Sequence, residues 1–157
     1  MQGFLYFLVI SANARGIFAH LLIFLPREVR ILNIAGIICE YNPFHNGHAY
    51  HIAETKKACD GVVCVMSGDF VQRGAPAFMP KHLRAEMALR SGCDMVLELP
   101  VFFSTGSAEF FASGAISILD QLQCIDYLCF GSECGDYELL KQVAEVLTKE
   151  PDEFKIS

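Results

Sequence analysis

Three histidines and one glycine lie within seven residues in the segment CEYNPFHNGHAYH, residues 39–51. His45 and His48 flank Gly47, where an apolar run gives way to an amphipathic stretch. An imidazole can donate a hydrogen bond to an anion, and a residue without Cβ lets a phosphate approach the backbone. The first turn of a helix adds unpaired N–H groups, and Asn42 and Pro43 predict a turn just before it. The pattern therefore predicts a corner that binds the phosphates of a nucleotide.

The same histidines have two other interpretations. A zinc protease carries two histidines four residues apart with a glutamate between them, and this segment has neither feature. On an ideal helix, residues three apart are rotated by about 300°, so the three side chains would diverge instead of meeting at one metal. We therefore predict no metal site. The second interpretation, polar histidines of the surface or core, stays open above all for His51.

The elements that would position this corner alternate regularly from residue 33 onward. Four apolar runs predict strands, at residues 33–39, 61–66, 93–100 and 125–131. Four amphipathic stretches predict helices, at residues 46–60, 80–92, 105–122 and 136–150. This alternation predicts an α/β fold, with a parallel sheet flanked by helices. Ligands of such sheets lie at the carboxyl ends of the strands. Three loops begin at those ends: 40–47, 67–79 and 131–136.

Two of these loops hold further candidate residues. Ser67, Gln72 and Arg73 belong to the loop SGDFVQRG, a candidate substrate loop. The planar guanidinium of Arg73 would pair with a carboxylate or a phosphate, and a solvated loop arginine is the alternative. Gly131 ends the last predicted strand, where a glycine either admits a ligand or simply forms the turn.

Composition limits the class of protein. The chain has 157 residues, of which 53% are hydrophobic and 19% charged, as in a compact domain and not a disordered one. The formal net charge of -6 argues against a general nucleic-acid binder, since phosphate contacts need a basic surface. Lys81, His82 and Arg84 gather at one predicted helix start, where they form either a basic patch toward RNA or a solvated face.

The seven cysteines form no CxxC pair. Cys39, Cys64 and Cys129 fall inside predicted strands, so we expect reduced core thiols of a cytosolic protein. A zinc site and a disulfide framework are the alternatives, and neither is supported by the spacing.

Residues 1–32 are assigned to an N-terminal extension, separate from a domain at residues 33–157. The extension is apolar, but its start carries no Lys or Arg as a secretory signal would. Residues 3–25 are long enough for a membrane span, but Asn13, Arg15 and His20 interrupt them. We favour an added or mis-started extension, and a loosely packed helix is one form that it could take.

Four blocks of the sequence resemble, in order, the bacterial tRNA(Met) cytidine acetate ligase family. The tetrad HNGH of residues 45–48 looks like the HxGH signature of the HIGH nucleotidyltransferase superfamily, to which that family belongs. The four blocks are GIICEYNPFHNGHAYHI, VMSGDFVQRGAPA, KHLRAEMALRSGCDMVLELP and CFGSECGD. Together the blocks cover about residues 34–150.

The resemblance implies a Rossmann-like domain and a two-step ligase reaction of tRNA processing in the cytoplasm. Acetate and ATP would form acetyl-adenylate, and the acetyl group would pass to the exocyclic amine of the wobble cytidine of elongator tRNA(Met). Mg²⁺ is expected with the ATP phosphates. The implied catalytic residues are His45 and His48. The implied ATP-binding residues are Ile38, Cys39, Glu40, Tyr41, Asn42, Pro43, Phe44, His45, Asn46, Gly47, His48, Ala49, Tyr50, His51 and Gly131.

The sequence also departs from the family pattern. It has no counterpart of the second phosphate-binding motif, of a later Asn and Arg that contact the nucleotide, or of the C-terminal RNA-binding region. We therefore expect a C-terminally truncated member that is the ATP-binding half of a ligase. The alternatives are a non-catalytic remnant that binds nucleotide weakly or not at all, and a different small-molecule adenylyltransferase that uses the same corner.

Overall fold

The computed structural model describes the backbone of residues 6–11 and all of residues 32–132 and 135–148. Within these residues one five-stranded sheet has the order β1–β5–β2–β3–β4. Its strands are β1 (Tyr6–Ser11), β2 (Ile34–Cys39), β3 (Gly61–Ser67), β4 (Met95–Leu99) and β5 (Tyr127–Ser132). The helices are α1 (Asn46–Ala58), α2 (Lys81–Arg90), α3 (Val101–Ser104), α4 (Ala108–Gln121) and α5 (Tyr137–Thr148).

Strands β2 to β5 are parallel to one another, which confirms the predicted α/β fold with a Rossmann-like sheet. β3 lies between β2 and β4, and its residues 62–67 are all buried. A strand covered on both faces needs apolar side chains on both, which explains the continuous apolar run at residues 62–66. The carboxyl ends of β2, β3 and β5 consequently meet at one edge of the sheet.

The core lies in two layers, one on each face of the sheet. One layer packs Ile37 and Cys64 against Ile52 of α1 and Ala88 of α2. The other layer packs the opposite face of the sheet against α4, with the buried residues Val63, Val65, Leu99, Phe111, Ala115 and Leu119. The predicted core thiols Cys64 and Cys129 are buried and free, whereas Cys39 is only half-buried.

Residues 6–11 add a strand where the sequence suggested a loosely packed helix for the extension. β1 pairs antiparallel with β5, from Tyr6 opposite Ser132 to Ser11 opposite Tyr127. The outer edge of β5 supplies the backbone groups for this pairing. The strand therefore depends on a contact between residues far apart in the sequence. Most of the proposed span at residues 3–25 lies outside the described residues. Among those described, no helix is long and apolar enough to cross a membrane.

A short helix, α3, was not predicted. Pro100 ends β4, and the four residues of α3 are too few to show a helical period. The buried Ser104 at its end donates from Oγ to the Phe70 carbonyl oxygen at 3.0 Å. α3 therefore fixes the loop that follows β3.

Candidate functional site

An open cleft of about 400 Å³ lies at the carboxyl ends of β2 and β5. Ten of the fifteen residues predicted to bind ATP line this cleft: Ile38, Cys39, Glu40, Tyr41, Asn42, Pro43, His45, His48, His51 and Gly131. The other five do not line it: Phe44, Asn46, Gly47, Ala49 and Tyr50. His51 and Gly131, which are 80 residues apart in the sequence, therefore line the same cleft.

His45 and His48 form a stacked pair at the start of α1. Their ring centroids are 3.7 Å apart, with 22° between the ring planes. The expectation that these side chains diverge is wrong for this pair, because His45 is the extended N-cap residue and not part of the helix. His45 Nδ1 accepts from the Gly47 N–H at 3.1 Å, and His48 Nδ1 accepts from the His45 N–H at 3.3 Å.

These two bonds determine which ring nitrogen carries the proton. A nitrogen that accepts a hydrogen bond has no proton, so each neutral ring carries its proton on Nε2. Burial, together with the charge of His45, lowers the pKa of His48 to about 4, and the ring is therefore neutral at pH 7. The pair consequently offers two Nε2–H donors at the helix start, where the Gly47, His48 and Ala49 N–H groups already donate to His45.

Gly47 makes room for the His45 ring. A Cβ at this position would lie 3.0 Å from His45 Cε1 and 3.1 Å from His45 Nδ1. That separation is tighter than ordinary van der Waals contact, so any larger residue would displace the ring. Gly47 does not line the cleft, but it allows His45 to fold back over the helix start.

Tyr41 and Phe44 support the histidine pair from the core side. The Tyr41 ring centroid lies 4.8 Å from that of His48, and the Phe44 centroid lies 4.9 Å from that of Tyr41. Tyr41 is buried, and its hydroxyl lies 3.4 Å from Cys64 Sγ. Burial raises the pKa of Tyr41 well above its usual value. Its φ of 50° is in the left-handed region, which costs a non-glycine residue about 1–3 kcal/mol.

His51 both lines the cleft and joins α1 to β5. Its Nε2 lies 3.4 Å from Cys129 Sγ, and Thr55 Oγ1 lies 3.0 Å from the same sulfur. Burial, and next the charge of His48, lower the pKa of His51 to about 4. Gly131, two residues after Cys129, is exposed at the end of β5. The His51 contact therefore fixes the side of the cleft where Gly131 lies.

The candidate substrate loop lies outside the cleft lining. Ser67 is buried and its Oγ has no hydrogen-bond partner within the described part of the chain. Arg73 is exposed, with a φ of 133°. Gln72 donates its backbone N–H to Glu40 Oε1 at 2.7 Å, which brings this loop against one residue of the cleft.

Arg84 corrects the interpretation of Lys81, His82 and Arg84 as either a basic patch or a solvated face. Arg84 is fully buried, and its guanidinium donates to the carbonyl oxygens of Glu40, Gly68 and Met79. Lys81 pairs with Glu98 at 2.8 Å. Sequence reasoning missed Arg84 because a charged side chain normally faces solvent. Its spacing of four from the buried Ala88 was the available signal.

Comparison with known proteins gives a consistent result. A sequence profile described as HIGH Nucleotidyl Transferase matches residues 32–157. The tRNA(Met) cytidine acetate ligase of Clostridium perfringens (strain SM101) is 56% identical over 126 residues, which cover 79% of this chain and 31% of the relative. The ligase of Clostridium tetani is 55% identical over 126 residues, with the same coverage. The chain thus spans about a third of the length of these relatives.

Two crystal structures of Thermotoga maritima TmcAL have the same fold. The structure with bound alpha-thio ATP has a TM-score of 0.71 and 48% sequence identity, covering 78% of this chain and 30% of that chain. The apo structure has a TM-score of 0.69 and 46% identity over the same shares. Within the described residues of the present chain, no group of three or more His, Cys, Asp or Glu side chains is arranged to hold a metal ion.

Proposed function

The chain belongs to the HIGH nucleotidyl transferase family, and we propose that it is the ATP-binding part of a tRNA(Met) cytidine acetate ligase. The proposed reaction joins acetate to ATP, releases pyrophosphate, and transfers the acetyl group to the wobble cytidine of elongator tRNA(Met) in the cytoplasm. The relatives' name and the bound alpha-thio ATP of T. maritima TmcAL support this proposal. The observation that carries it is the stacked pair His45–His48 at the cleft.

The chemistry of the first step fits this pair. A carboxylate oxygen of acetate attacks the α-phosphorus, the bond to the β-phosphate oxygen breaks, and negative charge builds up on the phosphate oxygens. Acetate is already ionised at pH 7, so the attack needs no general base. Fixed donors aimed at the developing charge are what the step requires. The Nε2–H groups of His45 and His48 would provide them.

The remaining cleft residues are proposed to shape the ATP site. Glu40 supplies a carboxylate there, and Gly131 leaves room for the nucleotide at the end of β5. Phe44 and Gly47 act indirectly, by supporting the histidine rings and by clearing space for them. Mg²⁺ is proposed as a partner of the ATP phosphates, which would supply part of its oxygen ligands while water supplies others.

The double variant His45→Ala/His48→Ala tests the proposal. We expect ATP affinity to fall by at least about 100-fold, because two hydrogen bonds to a charged ligand contribute roughly 1.5–3 kcal/mol each. Isothermal titration calorimetry, with and without Mg²⁺, measures the affinity, and circular dichroism checks the fold. His82→Ala, an exposed histidine of α2, is the matched control. Equal affinity in the folded double variant and the control would contradict the proposal.

The chain spans only about a third of the length of its relatives, so adenylate formation needs a test separate from ATP binding. ATP–pyrophosphate exchange distinguishes the three candidate activities. Exchange that depends on acetate supports the ligase, and exchange that depends on another carboxylate supports a different adenylyltransferase. ATP binding without exchange indicates a chain that needs the remaining sequence of its relatives for turnover.

A further inference from the structure

Arg84 is a buried charge with an unusual set of partners. None of its side chain is exposed, and no carboxylate of the described residues lies within 4.0 Å of it as an ion pair. Its Nη1 donates to the Glu40 carbonyl at 2.5 Å, its Nε to the Met79 carbonyl at 3.0 Å, and its Nη2 to the Gly68 carbonyl. Burying a charge is costly unless hydrogen bonds compensate, so the three carbonyls are its stabilisation.

Two of the three acceptors directly follow strands, and the third lies just before α2. Glu40 follows β2, Gly68 follows β3, and Met79 is the residue where the loop after β3 returns toward α2. A single planar guanidinium therefore joins the turn at residues 40–42 to both ends of the loop at residues 68–79. A lysine carries a single ammonium nitrogen, whereas the planar guanidinium has three nitrogens that can each donate to a different carbonyl.

Two further bonds join the same turn and loop. The Gln72 N–H donates to Glu40 Oε1 at 2.7 Å, and the Phe78 N–H donates to Asn42 Oδ1 at 2.6 Å. The loop is also bonded within itself, from Ala77 N–H to the Asp69 carbonyl at 2.8 Å. The loop is therefore bonded both within itself and to the turn, and the three Arg84 bonds also join the loop to the turn.

The turn carries the support of the histidine pair. Tyr41 lies between Glu40 and Asn42, and its ring centroid is 4.8 Å from that of His48. A shift of the Glu40 carbonyl would move Tyr41, whose left-handed φ of 50° needs surrounding contacts to persist. The His48 ring would then lose the surface on which it rests.

We propose that Arg84 is a positioning residue of the nucleotide cleft, which locks the 40–42 turn against the 68–79 loop and so holds Tyr41 beneath His48. This inference rests on the proposed ATP site, although Arg84 itself lines no part of the cleft. Its effect on ATP is indirect, through the orientation of His48 and of the turn.

The test compares Arg84→Lys and Arg84→Met with Arg90→Lys and Arg90→Met. Arg90 lies on the same helix with a side chain that is 79% exposed, so its variants are matched controls. The first readout is amide hydrogen exchange of the ligand-free chain at Gln72 and Phe78. The second is ATP affinity by calorimetry, at a temperature where circular dichroism shows each variant to be folded.

We expect exchange at Gln72 and Phe78 to quicken by about tenfold or more in Arg84→Lys, whereas exchange at Val65 of β3 stays unchanged. ATP affinity should fall by about tenfold, which corresponds to about 1.4 kcal/mol. The Arg90 variants should match the wild-type chain in both readouts. A loss of protection confined to the loop would separate positioning from general loss of stability.

Three results would overturn the inference. One is a folded Arg84→Lys chain with unchanged loop exchange and unchanged ATP affinity. Another is a uniform rise of exchange that includes Val65, since it would mean a purely structural role. The third applies if no Arg84 variant folds: it is fast amide exchange at Gln72 and Phe78 in the wild-type chain, which would mean that the loop is not locked. A wild-type chain that binds no ATP refutes the proposed function instead, and the exchange measurements still decide whether Arg84 locks the loop.

Discussion

At the scale of single residues, His45 and His48 both use Nδ1 to accept a backbone N–H. We therefore expect both neutral rings to carry the proton on Nε2, and the His48 ring to stay neutral well below pH 6.5, because its pKa is lowered to about 4. Long-range ¹H–¹⁵N NMR of the histidine rings measures both properties. A protonated Nδ1 at pH 7, or a His48 ring that titrates near pH 6.5, would contradict this assignment.

Acid stability gives a second prediction for His48. Its pKa is about 4 in the folded chain and 6.5 when unperturbed, so between these values the unfolded chain binds the proton more readily. The contribution of His48 to stability is complete above pH 6.5 and is lost as the pH falls toward 4. His48→Gln should retain the capping bond, since glutamine serves the same position in a capping box, without this titration.

Urea unfolding between pH 7 and pH 4 measures this effect. We expect His48→Gln to lose less stability on acidification than the wild-type chain, and the exposed His82→Gln control to follow the wild-type curve. Parallel curves for all three chains would show that His48 does not titrate with a lowered pKa.

The residue types of this corner could be predicted from the sequence, but part of their geometry could not. The pattern of histidines around Gly47 is typical of a phosphate-binding corner; all three histidines line the cleft, whereas Gly47 does not. The ideal-helix argument failed because His45 precedes the helix, and an N-cap residue has an extended backbone. The role of Tyr41 beneath His48 depends on its left-handed φ, for which the sequence gives no direct signal.

At the scale of elements, the start of α1 has to meet two conflicting demands. Alanine favours a helix interior over glycine by about 1 kcal/mol, so Gly47→Ala should stabilise α1 on propensity alone. The added Cβ would instead press on His45 Cε1 from 3.0 Å and turn the ring away from its place. We expect ATP affinity to fall by about tenfold in calorimetry, with little change in thermal stability.

Gly61→Ala is the matched control for this substitution. Gly61 begins β3, and a Cβ there would meet its nearest atom at 3.6 Å, an ordinary contact. The control should therefore bind ATP like the wild-type chain. Wild-type affinity in Gly47→Ala would mean that the His45 ring does not need its observed place.

The four parallel strands and their helices were predicted within a few residues, because runs of buried β-branched side chains and amphipathic stretches are local signals. The two elements that were missed depend on non-local conditions. β1 forms where the edge of β5 is open, and α3 is stabilised where Ser104 contacts the loop after β3. The strand order likewise depends on crossovers and not on local pattern.

At the scale of the whole molecule, the distribution of charge argues against tRNA binding but not against ATP binding. The formal net charge is -6. Among the described residues, four cations already have acidic partners: Lys56 with Asp94, Lys57 with Glu54, Lys81 with Glu98, and Arg90 with Glu86. Arg84 is buried. These groups would have to leave their partners before they could contact a phosphate backbone, and each ion pair lost would offset the gain.

We therefore expect this chain to bind ATP but to show no binding of elongator tRNA(Met) below about 100 μM at physiological salt, the weak end of non-specific binding. A gel-shift titration measures this, with the C. perfringens ligase, to which the chain is 56% identical, as the positive control. Binding at low micromolar concentration that weakens steeply with added salt would contradict the expectation. Such a result would mean that a basic surface exists on this chain despite its paired cations. Arg73, exposed on the loop beside the cleft, is the first candidate for that surface.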